Sequence, residues 1–186
     1  LSDAQIDSLP AASVVLETGR ERSIRSGHPW LFSGAIAHVK SAQSGEPVWL
    51  YDGELQPIGV GIYNEKSQIR VRVIEQSAQQ ELPSKEYWQE RLQLAWERRS
   101  RLHDQEDTNS YRLVHSEADQ LPGLIVDRYG DYLSMQLGSL AMEKVHAWIV
   151  EFFLKQHPWK AIVLRVDADI AEKEGLEFGD KLLHGE

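Results

Sequence analysis

The chain contains no cysteine. That one absence removes disulfides, thiolate metal sites and cysteine nucleophiles together. Long apolar runs are missing too, and none approaches the length needed to span a bilayer. The first ten residues, LSDAQIDSLP, lack the basic start and apolar stretch of a secretory signal. These absences fit a cytoplasmic protein, and a chain opening on Leu1 rather than Met is expected to be a trimmed one. Positive charge is scarce. Twenty Lys/Arg stand against 29 Asp/Glu, a net charge of −9. The molecule as a whole repels polyanions, so any nucleic-acid contact must come from a local basic patch. The deficit is uneven. Residues 1–75 carry seven Lys/Arg against nine Asp/Glu, and residues 76–186 carry thirteen against twenty.

What is present is enough for real cores. A hydrophobic fraction of 41% with six Trp in 186 residues allows one mid-sized domain or two small ones. Residues 1–13 read as a loose leader. Gly19 to Ser26 reads as a short helical turn that Gly27 and His28-Pro29 stop. Short strands are expected at 14–17, 35–40, 48–51, 58–63 and 68–75, where Ile69, Val71 and Val73 alternate with Arg70 and Arg72. So many short strands in so few residues suggest a small β-barrel over 14–75. The polar stretch near 76–83 is the expected domain cut. Beyond it, Ser84 is placed to cap a helix running to about His103. Strands are expected at 111–114, 124–128, 132–137 and 161–166, with a helix over Leu140–Gln156. This gives an α+β fold with a small α/β sandwich over 84–186. The tail from Ala168 to Glu186 is acidic and weakly patterned.

Two motifs are singled out for chemistry. In Gly19–Gly34, GRERSIRSGHPWLFSG, three arginines (Arg20, Arg22 and Arg25) share one short helical segment beside His28, Trp30 and Ser33. Arginine forks grip phosphate bidentately, and aromatic faces stack on unpaired bases. Trp30 and Phe32 are expected in the core. Arg70 and Arg72, on the outward face of a strand, extend the candidate patch. The second motif is Tyr111–Asp131, YRLVHSEADQLPGLIVDRYGD. His115, Glu117 and Asp119 alternate there and would share one strand face, a weak candidate for a divalent ion. Carboxylates that solvate or cap a turn are the plainer reading. Other patterns fail. Gly59-Val60-Gly61 has Asn64 where a dinucleotide loop needs glycine, and Asp167-Ala168-Asp169 has Glu172 where a calcium loop needs glycine.

At these two motifs the sequence resembles the bacterial 23S ribosomal RNA cytosine-C5 methyltransferase family of large-subunit methyltransferase I type. The carrying residues are Gly27-His28-Pro29-Trp30-Leu31-Phe32-Ser33-Gly34 and Leu121-Pro122-Gly123-Leu124-Ile125-Val126-Asp127-Arg128. The resemblance implies an N-terminal PUA domain (an RNA-binding β-barrel), a central α+β domain and a C-terminal Rossmann-like methyltransferase domain. Only the first two are expected within these 186 residues. The third would bring a glycine-rich cofactor loop, an Asp-Pro-Pro motif and a cysteine nucleophile. The sequence departs from the family at Gln120, where glycine is usual, and at Ala171 and Glu172, where basic residues are common. The chemistry agrees independently. Carbon 5 of cytosine is a poor nucleophile, and enzymes activate it by adding a thiolate to carbon 6. A chain without cysteine does not supply that thiolate.

The leading expectation is therefore an RNA-binding front part without a catalytic centre or cofactor of its own. S-adenosylmethionine belongs to the full-length protein. The expected partners are 23S ribosomal RNA and the methyltransferase domain in cis, with no membrane, and a homodimer stays open. The expected RNA contacts are Arg20, Arg22, Arg25, His28, Ser33, Arg70 and Arg72. A stand-alone RNA-binding or adaptor protein is the alternative. A small metal-dependent hydrolase built on His115, Glu117 and Asp119 is a third reading.

Overall fold

The computed structural model describes residues 3–77, 81–103 and 108–186. The chain divides into two compact units, Leu1–Leu82 and Pro83–Glu186. The first contains α1 (Asp3–Asp7), β1 (Ser13–Leu16), α2 (Glu21–Arg25), β2 (Trp30–Phe32), β3 (Ile36–Lys40), β4 (Pro47–Tyr51), β5 (Pro57–Tyr63) and β6 (Ile69–Glu75). The strands form one curled, half-barrel sheet in the order β2-β6-β5-β4-β1-β3, in which, among the described residues, only β1 and β4 run parallel. Val14, Leu16, Leu31, Val48, Leu50 and Val71 are almost wholly buried and make its core, closed on one side by Ile24 from α2.

The glycines of β5 let two strands approach closely. A Cβ on Gly59 would run into the Glu75 carbonyl, and one on Gly61 would run into the Val71 side chain. They are packing glycines inside a strand, not a cofactor loop. The expected loose leader is replaced by α1. Lys40 Nζ donates to the Asp7 and Leu9 carbonyls at 2.6 Å each, satisfying acceptors that a short helix leaves open at its C-terminal end.

The second unit contains α3 (Lys85–Arg98), α4 (Ser100–His103), β7 (Ser110–His115), β8 (Leu124–Tyr129), β9 (Tyr132–Leu137), α5 (Leu140–Gln156), β10 (Ala161–Val166), α6 (Ala168–Glu174) and β11 (Gly179–Gly185). Ser84 and Ser139 cap α3 and α5 by accepting from the Tyr87 and Met142 amides. The strands form a mixed sheet ordered β11-β10-β9-β8-β7. Its only parallel pair among the described residues is β9–β10, which α5 connects. Helices α3 and α5 pack on each other through Trp96 and Phe153, whose rings lie 6.4 Å apart. Phe152, Phe153, Met142 and Ile149 of α5 are buried with Leu133, Met135 and Leu137 of β9.

The tail was expected to be weakly patterned, yet it forms both α6 and β11. The Asp167 side chain caps α6, and Gly175 ends it in the left-handed region at φ 74°. Strand β11 lies at the sheet edge and pairs antiparallel with β10. No doubly wound parallel sheet occurs among the described residues, and none of their helices is long and apolar enough to cross a membrane.

Candidate nucleic-acid interface

Helix α2 is only five residues long and survives because Ile24, 1% exposed, anchors it to the sheet. Gly27 at φ 94° reverses the chain, and Pro29 prevents continuation. With Ile24 turned inward, Arg20, Arg22 and Arg25 are exposed. They are not equivalent. Arg25 Nη2 donates to Asp52 Oδ2 at 3.0 Å, and Asp52 is itself buried. Asp52 Oδ1 accepts the Glu54 and Gln56 amides, so Arg25 ties α2 to the β4–β5 turn. Arg20 and Arg22 have no ion-pair partner among the described residues. Both line a pocket of about 510 Å³ together with Ser23, His28, Trp30 and Phe32.

The aromatic wall of this pocket corrects the expectation that Trp30 and Phe32 lie in the core. Leu31 takes the inward position at 1% exposure, so its neighbours in an extended strand point away. Trp30 is half-buried and Phe32 is 49% exposed. The His28 ring meets Trp30 edge-on at 6.1 Å and lies 6.5 Å from Phe32. His28 Nδ1 lies 3.2 Å from the Trp30 amide, which donates to it, and this bond shapes the turn into β2. Ser33 starts a 3₁₀ turn over Ser33–Ala35 and its hydroxyl lies 3.4 Å from Gln68 Oε1.

Arg70 and Arg72 alternate with the core residues Val71 and Val73 on β6 but are less exposed than an outward face suggests. Strand β6 is paired on both sides, with Arg72 opposite Trp30 of β2 and Ile62 of β5. Arg72 is only 9% exposed, and its guanidinium carbon lies 5.9 Å from the Trp30 ring centroid. It supports the tryptophan by a cation–π contact instead of presenting charge to solvent. Arg70 is half-buried and directs Nη1 to the Asn64 carbonyl at 3.5 Å.

The second motif builds a structural hub. His115 ends β7, and Glu117 and Asp119 lie in a 3₁₀ turn over Ser116–Asp119, so the three do not share a strand face. Asp119, 4% exposed, takes a two-pronged bond from Arg99 at 2.7 Å on each oxygen, a third from Arg98 at 3.0 Å and the His115 amide at 2.7 Å. Burial raises the carboxyl's pKa, but the Arg99 and His115 hydrogen bonds outweigh it and the net shift is downward. Ser116 donates to Glu117 and accepts the Gly123 amide. Both acids are thus committed to protein donors, and the described residues hold no cluster able to bind a metal ion. Gln120, the departure from the glycine that the resemblance implies, adopts the left-handed conformation at φ 59°. Sequence reasoning missed Arg98 and Arg99. Three arginines within residues 98–101 were the available signal.

Comparison with known proteins places this geometry. Residues 14–76 match the family model of a PUA-like domain. Ribosomal RNA large subunit methyltransferase I of Alteromonas mediterranea is 36% identical over 177 residues, covering 95% of this chain and 44% of the relative. The protein of the same name from Klebsiella pneumoniae is 36% identical over 174 residues, covering 93% and 43%. Among solved structures, a protein of Streptococcus mutans described as a SAM-dependent methyltransferase superposes with a TM-score of 0.74 at 16% identity, over 94% of this chain and 43% of that one. A protein described as a methyltransferase and solved as a complex with SAH gives 0.75 at 16% identity, over 96% and 43%. The chain therefore spans less than half the length of the relatives it matches. Over nearly all of its residues the chain is similar to the N-terminal PUA-like and central parts of ribosomal RNA large subunit methyltransferase I proteins.

Proposed function

We propose that this chain is the RNA-engaging front part of an S-adenosylmethionine-dependent methyltransferase acting on carbon 5 of a cytosine in 23S ribosomal RNA. The observation that supports it most is the pair Arg20 and Arg22. In a chain of net charge −9, these exposed guanidinium groups stand without ion-pair partners among the described residues, at the rim of an aromatic-walled pocket in the PUA-like unit. They take phosphates, with His28 and Ser33 beside them at a sugar or base edge. Arg25 and Arg70 are secondary contacts, because each already has a protein partner. Arg72 acts through Trp30. The central unit positions the methyltransferase domain, which in this reading is in the same full-length protein.

The residues described here do not fit S-adenosylmethionine. The paired glycines Gly59 and Gly61 are spent on packing inside β5 and lie at no strand-to-helix turn. These 186 residues also contain no cysteine, the nucleophile that cytosine methylation at carbon 5 calls for. The test is RNA binding as a function of salt. Binding of a 23S ribosomal RNA fragment is expected to weaken steeply as salt rises, and Arg22→Ala to flatten the log–log slope by about one unit. A slope unchanged in Arg22→Ala removes the phosphate patch.

A further inference from the structure

We propose that Phe32 is the stacking face for one unpaired RNA base, so that this pocket reads single-stranded rather than duplex RNA. The proposal rests on the RNA reading above and deepens it. Three features set Phe32 apart. Its strand is interrupted there: the pairing of β2 with β6 shifts register between Leu31 and Phe32, and a 3₁₀ turn begins at the next residue. Such irregularities re-aim a side chain away from the regular pleat. The ring is 49% exposed although an apolar aromatic gains by burial. A solitary exposed ring needs no explanation, but this one continues the His28–Trp30 aromatic wall of a pocket rimmed by Arg20 and Arg22.

Charge and shape together choose the occupant. The two arginines favour a polyanion over an apolar peptide side chain. A phosphate-linked chain whose bases are splayed out offers both things this pocket accepts, an anion and a flat π-face. A base inside a duplex has both faces covered by its neighbours and has nothing to lay on Phe32. Trp30 itself is braced by Arg72, whose guanidinium carbon lies 5.9 Å from its ring centroid.

The experiment compares a short fluorescein-labelled single-stranded RNA with the same strand in a blunt duplex, by anisotropy on the 186-residue chain. The wild type is expected to bind the single strand more tightly. Phe32→Ala is expected to weaken single-strand binding roughly tenfold while leaving duplex binding and the salt slope as in the wild type. Phe32→Tyr, which keeps the ring, is expected to restore affinity. Phe32→Ala binding the single strand as well as the wild type, or losing equally on both RNAs, overturns the stacking role. If Arg22→Ala still flattens the slope in that case, the RNA reading stands and only the base subsite falls. If the wild type binds neither RNA, both fall.

Discussion

Asp119 shows how one buried carboxylate is made useful without being catalytic. Four donors converge on it, two of them from an arginine held nearly out of solvent. Its lowered pKa gives the sign of its pH dependence. A carboxyl that ionises more easily when folded contributes its full stability above the unfolded value, near pH 4, and loses that contribution as pH falls through the lower folded value. Asp119→Asn is expected to destabilise the protein by about 2–4 kcal/mol at neutral pH, because it leaves Arg99 short of its counter-charge. Denaturant unfolding at pH 7 and at about pH 3 checks this: the gap between variant and wild type should narrow at the lower pH. Sequence alone marked Asp119 as a polar loop residue and showed an arginine-rich run at 98–101, but not that folding pairs the two across twenty residues. At Phe32 the residue type suggested core, and only the choice of Leu31 as the inward side chain of β2 turned the ring out.

At the scale of elements, strong local patterns survived and weak ones did not. Helix α5 runs over Leu140–Gln156, the bounds its apolar spacing indicates, because a 17-residue amphipathic face is read directly from sequence. Strand β10 likewise occupies Ala161–Val166 as expected. Helix α6 and strand β11 went unread. The first is a seven-residue charged helix that depends on its caps, and the second is an edge strand whose residues are mostly exposed, so neither carries a hydrophobic period. Ser139 links two levels. Its buried hydroxyl accepts the Met142 amide at the start of α5 and donates to the Pro122 carbonyl at 2.9 Å, fastening the Leu-Pro-Gly turn to the helix. Ser139→Ala is expected to cost about 1–2 kcal/mol, measured as a lowered urea midpoint with an unchanged m-value.

At the scale of the molecule, the two units each bury their own core: Val14, Leu31 and Leu50 in the first, Leu92, Met135 and Phe153 in the second. Residues 83–186 are therefore expected to fold alone, with a far-ultraviolet circular dichroism spectrum of mixed helix and sheet and a cooperative melt. Asp119→Asn should lower the stability of that fragment and of the 186-residue chain equally, within about 0.5 kcal/mol. A fragment without a cooperative transition would show that the second core is incomplete by itself.

The sequence alone determined the absence of thiol chemistry, the strongly acidic balance, the α+β class and the family resemblance, because composition and long periodic or motif-dense segments are local properties of the chain. Tertiary structure decided what each cation does. Arg22 and Arg25 lie three residues apart on one short helix, yet only Arg25 meets a buried aspartate from a distant turn. Arg72 alternates on its strand as a surface residue would, yet pairing on both sides lays it under Trp30. Whether a guanidinium is free for phosphate or spent on the fold depends on which groups folding brings within about 3–6 Å of it, and neighbours far apart in sequence set that distance.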